Sequence, residues 1–574
     1  MKEHQSEEKN ALARKYLDYY RRGTEYLSRD DFFEKIKRCH EYWKGNQRKP
    51  ESDSDPCSEV NVIHPMVEGQ VALLCEQNIA VSALPVTPGD KKFAEKATVL
   101  LEFIKSRNKM QKIIERHERS REKYGTGVLR VIWEPDALGG AGLPIIDTVP
   151  VKNICVDPCI TDSSRIGEAE FVIEKVIKSI HWAKQVYGEE IASQIDENYF
   201  PFGEGDVFDE ELTDGENAKY LHLLVWTIDE GELRLVEMSG CGVILSDSAD
   251  SGESFYGIGK YPYFFTSLYE VDGKLFGMGD VELSAPLQDI INDLDDQIRL
   301  NARLTANPQR LVQVGSGIDL DALTNEAGLN IPVNDINAVR DLQPKEIPQY
   351  VVQRRNLALQ YEIQKVSRFS DQMIGSKQSG VDTATESLAL QQSGNSGIAH
   401  KKAMLQETLK EVFSYALELV REFWKEAVTV RVSEDGREFS RLDVTQFKNA
   451  EVVELDADGE PFAAGQKEAE FDINVSVGAG LPTNKAFQYN IMSELFARGI
   501  ITPAEYREWL CKNFGLTLSV VPQQMQQAVP QGMPQGMQGA VQGSVVPVAQ
   551  NAVVEGLSPT GQGVLKQAEG GAVM

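Results

Sequence analysis

Long apolar runs are missing from this sequence. Nowhere in its 574 residues do ~18 apolar residues follow one another, so no membrane-spanning helix is expected. The opening MKEHQSEEKNALARKYLDYY has no apolar core of the secretory kind, and no signal peptide is expected. Positive charge is short: 59 Lys and Arg stand against 87 Asp and Glu, a formal charge of −28. That balance excludes a large basic clamp closing on phosphates, so any contact with DNA should be loose. Cysteine is sparse. Cys39, Cys57, Cys75, Cys155, Cys159, Cys241 and Cys511 are odd in number and thinly spread, which points to free thiols in a reducing compartment. Cys155 and Cys159 are the one close pair, and no second Cys or His pair stands at finger spacing, so no metal site is expected.

Catalytic signatures are missing too. SFYGIGKY approaches a phosphate-binding loop, but Ser254 stands where the first Gly belongs and Tyr261 where a Ser or Thr should hold the metal. Asp456, Asp458 and Gly459 follow a calcium-loop order, yet Gly465 occupies the place of the bidentate Glu. A tight turn between two strands fits that segment better. No HExxH, no i, i+4 histidine pair and no GxSxG elbow occurs. Neither an enzyme nor a cofactor is expected.

What is present is an ordinary globular composition, 41% hydrophobic and 25% charged. At ~150 residues per domain the length suggests three or four packing units. Residues 1–282 read as N-terminal helices and an α+β wing, the leading helices carrying aromatics three and four apart in LARKYLDYYRR and DDFFEKIKRCHEYWKGNQ. The period falls to two from Gly125 onward. Lys91 to Tyr124 reads as one helical return. Residues 283–306 predict a long helix with Pro286 in its first turn. Leu287, Ile290, Ile291, Leu294 and Ile298 lie on one side of it, and Asp289, Asn292, Asp293, Asp296 and Arg303 on the other. Residues 307–346 form a small insert of strand and turn character. Residues 347–375 predict a second long helix, from Pro348 to Ile374, with Gly375 behind it. Its seam of Val352, Leu359, Ile363, Val366 and Met373 steps by seven, four, three and seven. The Ser/Gly/Gln-rich stretch 376–397 should be a loop or a helix exposed to water. Residues 398–520 bring another strong helix, strands and two further helices, with Thr502 as an N-cap. Residues 521–574 read as a disordered low-complexity tail.

Taken in order, several stretches resemble the portal proteins of tailed bacteriophages. They are YGTGVLRVIWE, VPVKNICVDP, AEFVIEKVIKS, GMGDVELSAPLQDIINDLDDQIRLNARLTANP, DTATESLALQQSGNSG and GAGLPTNKAFQYNIMSELFARGIIT. The similarity runs from about Asn61 to about Gly515. It implies an α+β portal-type subunit with a mixed wing, two stem helices, a clip, a tunnel loop at 376–397 and a helical crown. It further implies a homo-oligomeric ring of about twelve copies at one capsid vertex of the virion, assembled in the host cytoplasm. The partners implied are double-stranded DNA in weak contact, terminase, the major capsid or scaffolding protein, and a head–tail adaptor. On this mapping Asp289, Asp293, Asp296, Arg303, Lys377, Gln378, Asp382, Thr383 and Glu386 are the candidates for facing DNA. Asp319, Asp321, Asn325, Glu326, Asn334 and Asp335 are those for docking the motor. An acidic bore would repel the phosphate backbone and let it slide. The same carboxylates could instead solvate an outer face or pair with arginine in the next subunit. Another virion ring protein, an adaptor or baseplate component, is the alternative, and a nucleic-acid enzyme lacking a visible metal cluster a more distant one.

Overall fold

The computed structural model describes residues 2–48, 57–75, 79–87, 90–197, 199, 218–251, 256–321, 323–324, 330–333, 335–342, 345–367, 384–431, 439–442, 450–455, 461–467, 470–477, 489, 492–493, 495–499 and 501–514. The chain divides into two units, residues 1–485 and 486–574.

In the first unit the leading aromatics form two helices, α1 (Lys2–Arg29) and α2 (Phe32–Lys44), parted by Asp31 in the left-handed region. They bury Tyr16, Tyr20, Phe32, Ile36 and Tyr42. The helix α3 (Ile63–Cys75) turns Ile63, Val67, Val71 and Leu74 inward at spacings of three and four. β1 (Ile79–Pro85) follows, then α4 (Lys91–Arg107) and α5 (Met110–Tyr124). The single helix expected from Lys91 to Tyr124 is thus two, because Lys109 adopts a φ of 52° that no α-helix can carry.

From Thr126 the period of two becomes strands: β2 (Thr126–Glu134), β3 (Leu143–Thr148), β4 (Ile154–Val156) and β5 (Val172–Ser179). The short helices α6 (Ile180–Tyr187) and α7 (Glu189–Ala192) intervene. Then come β6 (Lys219–Asp229), β7 (Glu232–Ser239), β8 (Ile244–Asp247), β9 (Tyr263–Ser267), β10 (Tyr269–Val271) and β11 (Lys274–Met278). Five of these strands make an antiparallel sheet in the order β4-β5-β6-β7-β8, with Val225 facing Ile173 on one side and Val236 on the other. Three make a second sheet, β3-β2-β9.

The long helix α8 (Asp280–Ala306) comes next. It begins six residues before Pro286, so the proline lies inside the helix rather than in its first turn. Pro286 is on the exposed side, where the carbonyl it leaves without an amide partner can meet water. The insert is a hairpin of β12 (Gln309–Val312) and β13 (Val339–Leu342), with Gln309 opposite Leu342. The second long helix is α9 (Gln349–Leu357), a π turn (Ala358–Glu362) and α10 (Ile363–Ser367). The remainder of that expected helix, including Met373, lies outside the described residues.

The helix α11 (Ala384–Phe423) extends over 40 residues. It absorbs the second half of the polar stretch, which is helical from Ala384; residues 376–383 lie outside the described residues. Leu405, Leu409, Val412, Phe413, Ala416 and Val420 of α11 are fully buried, one apolar stripe in the main core. Two hairpins follow, β14 (Val428–Arg431) with β15 (Phe439–Leu442), and β16 (Ala450–Leu455) with β17 (Pro461–Lys467). The second is the strand pair expected around Asp456 and Gly459. β18 (Phe471–Val477) then returns to pair antiparallel with β1, almost 400 residues earlier.

In the second unit, α12 (Pro503–Phe514) starts with the expected cap. Thr502 Oγ1 accepts from the Glu505 amide at 3.3 Å, and Glu505 Oε2 accepts from the Thr502 amide at 2.8 Å, a reciprocal capping box.

Candidate functional site

α8 and the segments packed on it hold the described channel candidates. The residues that α8 buries most are Asp280, Val281, Ser284, Ala285, Gln288, Ile291 and Asn292. This corrects the clean division into apolar and polar sides, since Asn292 and Gln288 are fully covered while Leu283 and Leu300 are exposed. The cause is that residues 45–48 and 57–62, from the two ends of the connection between α2 and α3, offer it polar partners. Gln288 Oε1 accepts from the Val62 amide at 3.1 Å, and its Nε2 donates to the Val60 carbonyl at 2.7 Å. Asn292 Nδ2 donates to Gln47 Oε1 at 2.5 Å. Buried amides whose donors and acceptors are met in this way cost little.

α2 and the residues that follow it reach the aspartates. Asp289 Oδ1 accepts from the Tyr42 hydroxyl at 2.6 Å, with the Arg38 guanidinium at 3.4 Å from Oδ2. Burial and then the Asp289 carboxylate push the Tyr42 phenol up. Arg48 donates to Asp296 Oδ2 at 3.1 Å, to the Asp289 carbonyl at 2.9 Å and to Asp293. Asp296 also accepts from the Ser58 amide at 2.6 Å. Asp289, Asp293 and Asp296 therefore share two arginines of their own chain, and Asp293 remains 62% exposed. Arg303 is exposed near the end of α8.

The helix pair is joined by Asp295 and Arg355, whose Nε and Nη2 donate to the carboxylate at 2.9 and 3.2 Å. Ile291 packs there with Ala358 and Ile363. The buried positions of the second helix are thus Val351, Ala358 and Ile363, while Val352 is exposed. The expected seam is displaced because the π turn inserts one extra residue and makes the step from 358 to 363 five.

On the insert, Asp319 and Asp335 fold their own turns. Asp319 Oδ1 accepts from the Asp321 amide at 3.1 Å, and Asp335 Oδ1 from the Asn337 amide at 2.9 Å. All three aspartates are exposed. Asn325, Glu326, Asn334, Lys377, Gln378, Asp382 and Thr383 lie outside the described residues; Glu386 falls on α11 where the backbone alone is described. Apolar side chains are also exposed around the insert. Val314 is 99% exposed, Ile336 86% and Tyr350 69%, with Leu300, Leu311, Leu320, Leu342 and Leu357 beside them in sequence.

A buried ionic cluster at the start of α8 was not legible in the sequence. Lys401 Nζ of α11 donates to Asp280 Oδ2 at 2.9 Å and to both oxygens of Glu122 at 2.8 and 2.9 Å, and it also meets Gln70. Next to it, Arg121 donates to Glu118 at 2.5 Å and to the Lys401 carbonyl at 3.1 Å, and the His117 ring lies 2.9 Å from Glu118. All are buried. RHERSREKY reads as a solvated face, and nothing local marks it as interior.

The phosphate-loop look-alike is structural. The Tyr261 hydroxyl is buried and donates to the Ala169 carbonyl at 2.9 Å, and Lys260 pairs with Glu418 at 2.7 Å. Cys155 is buried, which pushes its thiol up to about 11, whereas Cys159 is exposed. Among the described residues no helix is long and apolar enough to cross a membrane.

The described residues thus form an α+β body whose long helix pair brackets an exposed hairpin. The chain is related to the portal proteins of tailed bacteriophages, structural components of the virion. Residues 209–485 match the family model described as phage SU10 portal protein, a segment that includes α8, the hairpin, the second long helix and α11. No curated protein matches the chain.

Proposed function

We propose that copies of this chain close into a ring of about twelve at one capsid vertex. The genome enters and leaves through its bore, and terminase and later a head–tail adaptor dock on the hairpin. The observation that carries this reading is where apolar surface is left uncovered. Ten of the eighteen exposed large hydrophobics among the described residues fall between Leu300 and Leu357. Their concentration in one segment is what an interaction surface leaves bare in an isolated chain. Neighbouring copies arranged around an axis would cover them by a repeating heterologous contact that closes on itself.

In this reading α8 and the second long helix are the stem, residues 307–346 the clip, and residues 376–397 the segment nearest the DNA. The stem candidates Asp289, Asp293 and Asp296 carry three negative charges against the two positive charges of Arg38 and Arg48. A bore lined by such a face is weakly repulsive, which suits passage, because each uncompensated Lys or Arg would add a phosphate contact to be broken at every step. Lys377, Gln378, Asp382, Thr383 and Glu386 are proposed as loop contacts. Asp319, Asp321, Asn325, Glu326, Asn334 and Asp335 are proposed to offer the motor an acidic rim.

Negative-stain microscopy of the purified full chain tests the ring directly. Annular particles with a central hole wide enough for a duplex are expected, and a monodisperse monomer at high concentration would remove the reading. Deleting Ser379 to Asn395 should leave rings intact while heads package or retain less DNA. Full heads from that variant would strip the segment of its role.

A further inference from the structure

The buried cluster at the start of α8 is not needed for a passive conduit, and its charge does not balance. Glu118, Glu122 and Asp280 supply three carboxylates, whereas Arg121 and Lys401 supply two cations. Arg121 pairs with Glu118, whereas the single Lys401 ammonium faces two carboxylates, so the Lys401 end of the cluster holds one excess negative charge when fully ionised, on residues at most 4% exposed. Isolated buried charge of that kind is costly, and the cheapest relief inside the fold is to keep a proton.

We propose that this cluster is a proton-operated latch, holding the start of α8 and the helix α11 against the end of α5 while one proton neutralises it, and loosening both when that proton leaves. The groups facing one another come from four helices. They are His117, Glu118, Arg121 and Glu122 from α5, Asp280 from α8, Lys401 from α11, and the neutral amide of Gln70 from α3. Lys401 is the pivot, because its ammonium bonds Glu122 and Asp280 together and its carbonyl accepts from Arg121.

Electrostatics agrees with the geometry. Burial drives the Glu122 carboxyl up to about 8, with Lys401 opposing the rise and Asp280 adding to it. A carboxyl raised in the closed junction favours closure while it keeps its proton. That preference fades as pH climbs from the ordinary carboxylate range through the raised value. Once the proton has gone, parting α5 from α8 or α11 lets water reach the excess charge. The latch touches two elements at once, since α8 starts at Asp280 and α11 carries Lys401 one helical stretch after the polar segment. It acts within one chain and does not depend on a ring.

Hydrogen–deuterium exchange of the full chain, read by mass spectrometry at about pH 6.5 and about pH 8.5, tests it. In the unmodified protein, peptides covering 280–290 and 398–408 should gain exchange by up to about tenfold per pH unit beyond the intrinsic increase. Glu122→Gln should abolish that excess. Asp280→Asn, which also brings the ionised cluster to neutrality, should do the same and carries the test where Glu122→Gln folds poorly. Glu418→Gln, at a surface pair, should keep the excess. An equal pH response in the unmodified protein and in both cluster variants would overturn the latch, as would no excess in the unmodified protein.

Discussion

Gly279 stands so close to Gly125 that a methyl group on it would lie 2.8 Å from the Gly125 nitrogen, 2.8 Å from the Glu122 carbonyl and 3.1 Å from that of Lys123. The end of α5 and the start of α8 therefore touch backbone to backbone. Nothing there can rotate away, so Gly279→Ala should destabilise by about 1–3 kcal/mol, the usual cost of overpacking. Gly125→Ala should cost more, since it adds a φ of 85° to a clash with the Gly277 carbonyl. Gly273 has a similar φ of 77° and open space around it, so Gly273→Ala should lose only about 1 kcal/mol. Thermal unfolding should rank Gly125→Ala as the most damaging, Gly279→Ala next and Gly273→Ala the least.

Lys401→Met should be among the most damaging single changes in the chain. It leaves Glu122 and Asp280 buried without their cation, a loss of about 3–5 kcal/mol where one partner of a buried pair is removed. Adding Glu122→Gln and Asp280→Asn to Lys401→Met should recover a large part, because no unpaired charge is then left inside. Non-additivity of this sign, measured as apparent melting temperature, distinguishes an ionic cluster from simple packing.

Lys123 offers a case of opposite sign. Its ammonium is buried, donates to His40 Nδ1 at 2.8 Å and lies 4.0 Å from the centre of the Trp43 ring. Burial, and then the Arg119 charge, bring it down to about 8. The unfolded chain takes the proton at higher pH than the folded one, so folding loses stability as pH falls from the ordinary lysine range through that value. Lys123→Met should accordingly raise stability at neutral pH by on the order of 1–3 kcal/mol. Its advantage should shrink as the comparison moves to about pH 10. A variant that melts lower than the unmodified protein at neutral pH would show that the contact to His40 outweighs the burial cost.

Arg48 is the clasp of the segment that covers α8. Its side chain is 24% exposed and bonds Asp293, Asp296 and the Asp289 carbonyl. Pairs open to water on one side contribute little to global stability, so Arg48→Ala should lower the melting temperature only slightly, about 1 kcal/mol. Local opening should change far more. Limited proteolysis should cut between residues 44 and 62 sooner in the variant, and high salt should bring the unmodified protein part of the way there. Unchanged cleavage would place the hold on the segment in Gln288 and Asn292 instead.

Those two amides also mark where the sequence stops being legible. Period and turn chemistry suffice for β2, β6 and β7, for the apolar stripe of α11 and for the Thr502 cap, because each is decided within about a dozen residues. The buried face of α8 is decided by residues more than 220 positions away: Gln288 is interior because Val60 and Val62 satisfy it. The π turn at Ala358–Glu362 has no local signature, yet it shifts the seam by one residue. Likewise Glu118, Arg121 and Glu122 look solvated until Asp280 and Lys401 arrive from elsewhere in the chain. The aspartates of α8 were visible as a group, but their partners Arg38 and Arg48 were not.

The exposed apolar side chains give the sharpest test of assembly. Val314 and Ile336 are almost bare, and they contribute nothing to the core of the chain that carries them. Replacing both with Asp should therefore leave the circular dichroism and melting temperature of the isolated chain unchanged. If each is covered by a neighbour in the ring, the pair forfeits about 1.5–3 kcal/mol per side chain at every interface and adds the cost of burying a carboxylate. A closed ring repeats that loss at each contact, so light scattering after size exclusion should find the V314D/I336D chain monomeric where the unmodified chain assembles. Rings of undiminished stability from the double variant would mean that these residues meet some other partner, and that the contact between copies runs through the flanks of the helices instead.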